Sequence, residues 1–287
     1  MISPYVRRLR LGRELRDRRL AAEMTSQELA KRAGTHRQMI SKLENGHIPP
    51  DLDEVLALLE ALGVEGAEWT DLVGIANEAA SRGWWDGISR QIGERQALIA
   101  DLEAGAATIR EYPQALIPGL LQTPGYTRFR AGTDGRPMAD GVTTDGILRG
   151  RANRQRMIKR TGGTTAYHAI IDEIAIRRLA VPSEIMCDQL LEVVAICQAD
   201  ERFTVRVLPI DAQFENHAVP ISSFKVYTYD NGDPTVVAIE GMTEDAILTS
   251  EQQSEAYERF FGWLNAAALS VEESEKFLIK AAEKLRP

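Results

Sequence analysis

Cysteine is nearly absent: Cys187 and Cys197 are the two in 287 residues. Both fall on one predicted helix, where ten residues rise about 15 Å, too far for a disulfide. They read as small hydrophobes of a reducing compartment. Histidine is scarce too, and His36, His47, His168 and His217 are too scattered for metal-ligand spacing. No run of about 18 apolar residues is available to span a bilayer. The opening MISPYVRRLRLGRELRD lacks the apolar core of a signal peptide. These absences set the expectation of a cytoplasmic protein with no membrane partner.

Motifs of catalysis and cofactor binding are missing as well. There is no G-x-x-x-x-G-K-S/T, and no G-x-G-x-x-G follows a strand. Gly162-Gly163 precedes a strand instead of a helix and reads as a turn. No G-x-S-x-G is present, and no Cys or Ser has a nucleophile context. The adjacent carboxylates Asp172-Glu173 and Glu272-Glu273 point to different faces, and helix N-termini favour acids, so capping explains them better than acid–base work. The expectation is a chain that is no enzyme and holds no metal and no cofactor.

What is present is an uneven charge. The net value of −8 would argue against nucleic acid if it were spread evenly. Residues 1–50 instead hold 11 Lys/Arg and 5 Asp/Glu, a balance of +6, while residues 51–287 hold 23 and 37, a balance of −14. A basic head on an acidic body suits a molecule whose one end meets phosphate.

The stretch from Thr25 to Gly46, TSQELAKRAGTHRQMISKLENG, reads as two short helices joined by a tight turn. Thr25 with Glu28 and Thr35 with Gln38 have capping-box spacing. Gly34 supplies a left-handed residue at the end of the first helix, and Gly46 stops the second. Leu29, Ala30, Ala33, Ile40 and Leu43 are spaced to face each other across the turn. That leaves Arg37, Gln38, Ser41 and Lys42 on the outer face of a helix over 35–45. A donor-rich face at a helix N-terminus suits the major groove, where base edges present a readable donor and acceptor pattern. The bland alternative is an ordinary solvated hairpin; the basic head tips the balance.

Around this centre, residues 4–22 form a first helix with seven arginines between Arg7 and Arg19. Such a run is usually a solvated face, but beside a reading head some contact with the DNA backbone is favoured. Pro49-Pro50 forces an extended link, Asp51 with Glu54 caps another helix ending at Gly63, and a short helix from Trp69 to Ala80 closes the head. Ser81-Arg82-Gly83 marks the boundary, giving domains of 1–80 and 84–287. Trp84 and Trp85 favour packing over pocket lining.

In the second half, 89–112 reads as a helix, and the prolines of EYPQALIPGLLQTPGYTRF make an ordered loop leading to a short helix. Residues 132–141 are polar and Gly-rich, a surface loop. Residues 144–160 form a basic helix whose charges favour solvation or internal pairing. Strands are predicted at 164–172, 203–209, 223–229 and 235–240, the last two joined as a hairpin by Asn231-Gly232-Asp233-Pro234. Helices fall at 172–179, 183–199, 251–267 and 271–286. The fold class is therefore multi-domain: an all-α five-helix head, then an α+β domain with a small, mostly antiparallel sheet.

Leu29-Ala30, Gly34-Thr35, Ile40-Ser41 and Leu43-Glu44-Asn45-Gly46 resemble the helix-turn-helix of the phage-repressor, or XRE, family of bacterial regulators over residues 5 to 75. Family members commonly carry Gln directly after the capping Ser/Thr; here Ser26 stands there and Gln27 comes one place later. The resemblance implies duplex DNA as partner, with Arg37, Gln38, Ser41 and Lys42 reading bases and Arg16, Ser26, Gln27, Thr35 and Asn45 meeting phosphates. PGLLQTPGY, RANRQ, DEIAIRR with MCDQL, and VRVLP resemble the uncharacterised domain that follows the helix-turn-helix in actinobacterial WhiJ-like and antitoxin-like regulators. That likeness implies no established chemistry; with the head it sets the expectation of a nucleoid-associated transcriptional regulator, a homodimer because a single head with about four base-reading side chains would bind weakly. Its second domain would receive a signal as a small-molecule ligand or a small partner protein. The alternative is an antitoxin-like module that grips the partner and represses its own synthesis.

Overall fold

A computed structural model of the chain describes residues 1–133, 139–214, 217, 219–241 and 244–286. It divides into two compact units, one of Met1–Gly87 with Ala104–Ala106 and Tyr229–Pro234, the other of Ile88–Glu103, Ala107–Thr228 and Thr235–Pro287.

The first unit is helical, with α1 (Pro4–Ala21), α2 (Ser26–Arg32), α3 (Arg37–Glu44), α4 (Leu52–Ala61) and α5 (Gly66–Ala80). Ser3 caps α1 by accepting the Val6 N–H at 3.1 Å. Pro4 takes the first helical position, where its missing N–H costs nothing. Leu11, Leu15, Leu29, Ile40, Leu43, Leu59 and Leu72 close one buried core. Each leucine taken out of water there contributes about 1.5–3 kcal/mol. Trp85 is buried with its ring edge-on to Trp84, so this pair packs, as the sequence favoured.

The second unit carries a six-stranded sheet in the order β3-β2-β1-β4-β5-β6, formed by β1 (Thr108–Tyr112), β2 (Ala166–Asp172), β3 (Phe203–Leu208), β4 (Phe224–Thr228), β5 (Val236–Ile239) and β6 (Ala246–Leu248). β1 with β2 and β2 with β3 are parallel, and the remaining neighbours are antiparallel. The sheet is thus mixed, which corrects the expectation of a mostly antiparallel one. The physical reason is β1. Its residues were absorbed into a predicted helix over 89–112, but Gly93 (φ +85°) and Gly105 (φ +78°) break that helix into α6 (Ser89–Ile92) and α7 (Glu94–Glu103) before the strand. Parallel pairing then needs crossovers. α8 (Pro124–Thr133) with α9 (Thr144–Lys159) supplies the first, and α10 (Glu173–Arg177) with α11 (Ser183–Ala199) the second. Of the predicted 132–141 loop, residues 134–138 lie outside the described residues, and residues 132 and 133 belong to the end of α8.

The helices α12 (Glu251–Ala267) and α13 (Val271–Glu283) close the chain, and Ser270 with Glu273 forms the capping box of α13. One sheet face packs Tyr112, Ile170, Phe224 and Val226 against Phe261 and Leu264 of α12. The other buries charge. Arg154 of the basic α9 donates to both Glu103 oxygens at 2.8 and 2.5 Å and to Gln96 at 2.7 Å. Lys225 lies 2.6 Å from Glu240 and 3.4 Å from Glu111, whose carboxylate also accepts the Tyr167 hydroxyl at 2.6 Å. The Pro/Gly-shaped PGLLQTPGY loop is clamped by the fully buried Gln189, which donates to Leu121 O and accepts the Thr123 N–H.

Candidate nucleic-acid interface

The turn between α2 and α3 is built as the sequence requires at three points. The Glu28 N–H donates to Thr25 Oγ1 at 3.2 Å and the Thr25 N–H to Glu28 Oε2 at 2.8 Å, completing the first capping box. The Thr25 N–H first, and the Thr25 hydroxyl donating to the same oxygen at 2.8 Å second, hold the Glu28 carboxyl below its ordinary range. Gly34 lies at φ +69°, and the Thr35 N–H reaches back to Ala30 O at 2.9 Å. Gly46 at φ +65° ends α3, with the His47 N–H on Lys42 O.

The second capping box does not form. The N-cap of α3 is His36, without a side-chain cap bond, and the helix runs from Arg37 to Glu44 instead of over 35–45. The left-handed Gly34 spends one residue more on the turn, so Gln38 becomes the second helical residue and cannot make the reach back to the cap that a third residue makes. Arg37 and Gln38 therefore occupy the first two helical positions.

The inner face of α3 buries Ile40 and Leu43, and the outer face leaves Arg37, Gln38, Ser41 and Lys42 exposed. Of the phosphate candidates, Arg16, Gln27 and Asn45 are exposed, while Ser26 and Thr35 are half-buried. Asn45 is already engaged, its amide donating to Ser41 O at 2.7 Å as the helix C-cap.

The arginine run of α1 is largely spoken for within the same unit. Arg7 pairs with Glu78 at 2.9 Å and Asp233 at 3.2 Å, and Arg10 lies 3.5 Å from Asp233. Arg13 donates to Gly232 O at 3.0 Å, Arg18 pairs with Glu14 and Glu68, and Arg8 lies over the Tyr5 ring. Arg19 grips Glu44 through two bonds of 2.6 and 2.9 Å and Met24 O through a third. Among the described residues, Arg16 is the arginine of α1 with neither a bonded partner nor a ring contact.

Two residues that position α3 escaped the sequence reading. Arg19 holds the last turn of α3 through Glu44. Gly12 lets the backbone of α1 lie directly against it: a Cβ there would stand 2.6 Å from both Leu43 O and Glu44 O. A lone glycine inside an arginine-rich helix was the available signal.

Elsewhere, Asp172 accepts the Ile174 N–H at 2.9 Å, and Ser270 accepts the Glu273 N–H at 3.2 Å, so both acid pairs open helices. Burial pushes the Cys197 thiol up to about 11. Among the described residues no His/Cys/Asp/Glu group could hold a metal ion, and no helix is long and apolar enough to cross a membrane.

Residues 15–69 match the family described as Helix-turn-helix, and residues 96–280 match the family described as Domain of unknown function (DUF5753). No curated protein and no solved structure matches the chain.

Proposed function

A DNA-binding regulator with an XRE-type helix-turn-helix, this chain belongs to the DUF5753 family, and we propose that it reads specific duplex sites through α3 while its second domain receives a signal. The observation that carries the reading is the division of α3 into a buried Ile40–Leu43 face and an exposed Arg37, Gln38, Ser41, Lys42 face. Arg pairs bidentately with guanine and Gln with adenine, each such pair worth about 1–3 kcal/mol of discrimination. Ser41 and Lys42, one turn on, add a shorter contact and a phosphate contact. Arg16, Ser26, Gln27 and Thr35 meet the backbone on the flanks. Asn45 joins them if its amide leaves Ser41.

One head with four reading side chains binds weakly, and a two-fold dimer reading two half-sites is the usual remedy. The test is selection from a randomised duplex pool with the parent, Arg37→Ala and Gln38→Ala. Each variant relaxes base preference at one position per half-site while keeping its fold. An unchanged selected motif from both variants would take α3 out of the groove.

A further inference from the structure

The sheet face under α12 is apolar along Tyr112, Ile170, Phe224 and Val226. One row breaks the pattern. Arg110 of β1 stands opposite His168 of β2, and His168 opposite Thr204 of β3. Three polar side chains thus line up across neighbouring strands on a face that a helix covers, where polar groups need partners. Among the described residues Arg110 has Glu258 alone, at 3.6 Å, with the two side chains 33 and 39 % exposed. Among the described residues, the side chains of His168 and Thr204 have no hydrogen-bond partner.

Over this row α12 sets Glu258, Gly262 and Asn265, which share one helical face. A cleft of about 450 Å³ opens between helix and strands, floored by Ala169 and Ile170 and walled by Phe261. That volume suits a small molecule. Gly262 is the informative residue. Glycine is the poorest helix former after proline, yet a Cβ built on Gly262 meets nothing within 4 Å, so no close approach demands it. Its missing side chain keeps the cleft open.

The charges select the occupant. Arg206 is committed to the C-terminal end of α12, donating to Leu269 O at 2.6 Å, Asn265 Oδ1 at 2.7 Å and Ala268 O at 3.0 Å. Arg110, held only by a long ion pair, is the lining cation able to turn to a ligand. One guanidinium fork matches one carboxylate. The apolar floor and wall call for an apolar body.

We infer that this cleft binds a small organic carboxylate with a compact apolar body. The carboxylate displaces Glu258 from Arg110 and accepts from His168 and Thr204, while the body lies over Ile170 beside Phe261 and fills the space above Gly262. Burial first, and Arg110 second, hold His168 below the ordinary imidazole range, so the neutral ring presents one N–H to the anion. The inference rests on the reading of the second domain as the signal receiver and gives that domain a site and a ligand class.

The full-length protein is titrated with phenylacetate by calorimetry, in parallel with 2-phenylethanol, 2-phenylethylamine and inorganic phosphate. Phenylacetate binds saturably, and the other three bind at least about tenfold more weakly, because a charge-assisted bond or the apolar contact is lost. Arg110→Gln and Gly262→Leu each weaken phenylacetate about tenfold. Gly262→Leu also keeps or raises the melting temperature, since leucine favours helix and meets open space, so a loss of binding there is not a loss of fold. Absent phenylacetate binding, equal binding of the alcohol or of phosphate, or binding that survives Gly262→Leu overturns the inference. Operator affinity is then measured with and without phenylacetate. A change supports both readings; binding that leaves operator affinity unaltered upholds the cleft and overturns the signal-receiving reading instead.

Discussion

At Arg19 and Glu44, two side chains 10 and 7 % exposed neutralise each other between α1 and α3. Removing one strands the other in a site with little water, which costs about 3–5 kcal/mol where burial is that deep. Arg19→Met is therefore expected to lower stability by that order in urea unfolding. The double variant Arg19→Met with Glu44→Leu recovers most of it, because no charge is left alone. Full additivity of the two single losses would show that the pair is not coupled. A second pair carries a pH signature. Lys225 first among its neighbours holds the Glu240 carboxyl down to about 2, against an ordinary value of 4.5. A carboxyl depressed in the folded state contributes stability above 4.5, and that contribution drains away as pH falls through 2. Glu240→Gln is thus destabilising at pH 7, and the gap to the parent narrows in thermal unfolding between pH 4.5 and 2. Glu111, on the other side of Lys225, is pushed up by burial and runs the opposite way, so the comparison must be made against the parent. The outward stripe of α3 was legible in the sequence because helical spacing alone assigns its faces. The fates of the α1 arginines were not, since identical residues go to acids as distant as Glu78 and Asp233.

Among the elements, α1 and α3 meet through Gly12, and this inverts an ordinary rule. Glycine to alanine inside a helix normally stabilises by up to about 1 kcal/mol. At Gly12 the new methyl would meet two backbone carbonyl oxygens at 2.6 Å, which cannot swing aside as a side chain can. Gly12→Ala is expected to cost about 1–3 kcal/mol, as overpacking does, and to weaken operator binding by displacing α3. Gly74 of α5 is the control: a Cβ there meets nothing within 4 Å, so Gly74→Ala should stabilise. Chemical denaturation of both variants checks the sign. Equal effects at the two sites would refute the close approach. Elements with strong periodicity and caps were legible: α4, α11, α12, α13 and the β4–β5 hairpin follow the sequence closely. β1 was hidden because TIREY follows a helical pattern without a proline, and β6 because three residues carry no period. Losing β1 lost the parallel half of the sheet, and with it the row of Arg110, His168 and Thr204 that lines the cleft.

For the whole molecule, the separation of charge matters more than its sum. Residues 1–50 carry +6 against −14 over 51–287, while the acids of 51–80 bring residues 1–80 to 11 Lys/Arg against 13 Asp/Glu, so the draw to phosphate is confined to the first 50 residues. Binding that neutralises phosphates releases counterions, so log affinity falls linearly with log salt, by about 0.9 for each phosphate engaged on duplex DNA. With most of the α1 arginines paired internally, the exposed cations Arg16, Lys31, Arg32, Arg37 and Lys42 remain to set this slope at the reading end. Lys42→Ala should therefore weaken all duplex sequences alike and flatten the slope by roughly one per head. In a two-fold dimer on half-sites about 34–36 Å apart, the flattening doubles. Arg37→Ala behaves differently, losing discrimination between operator and random duplex. The measurement is fluorescence anisotropy of the full-length protein on a selected operator and on random duplex, from 50 to 200 mM salt. A slope that neither Lys42→Ala nor Arg16→Ala alters would move the phosphate contacts away from α3 and α1. A flattening of one unit instead of two would show a single head at work on each duplex.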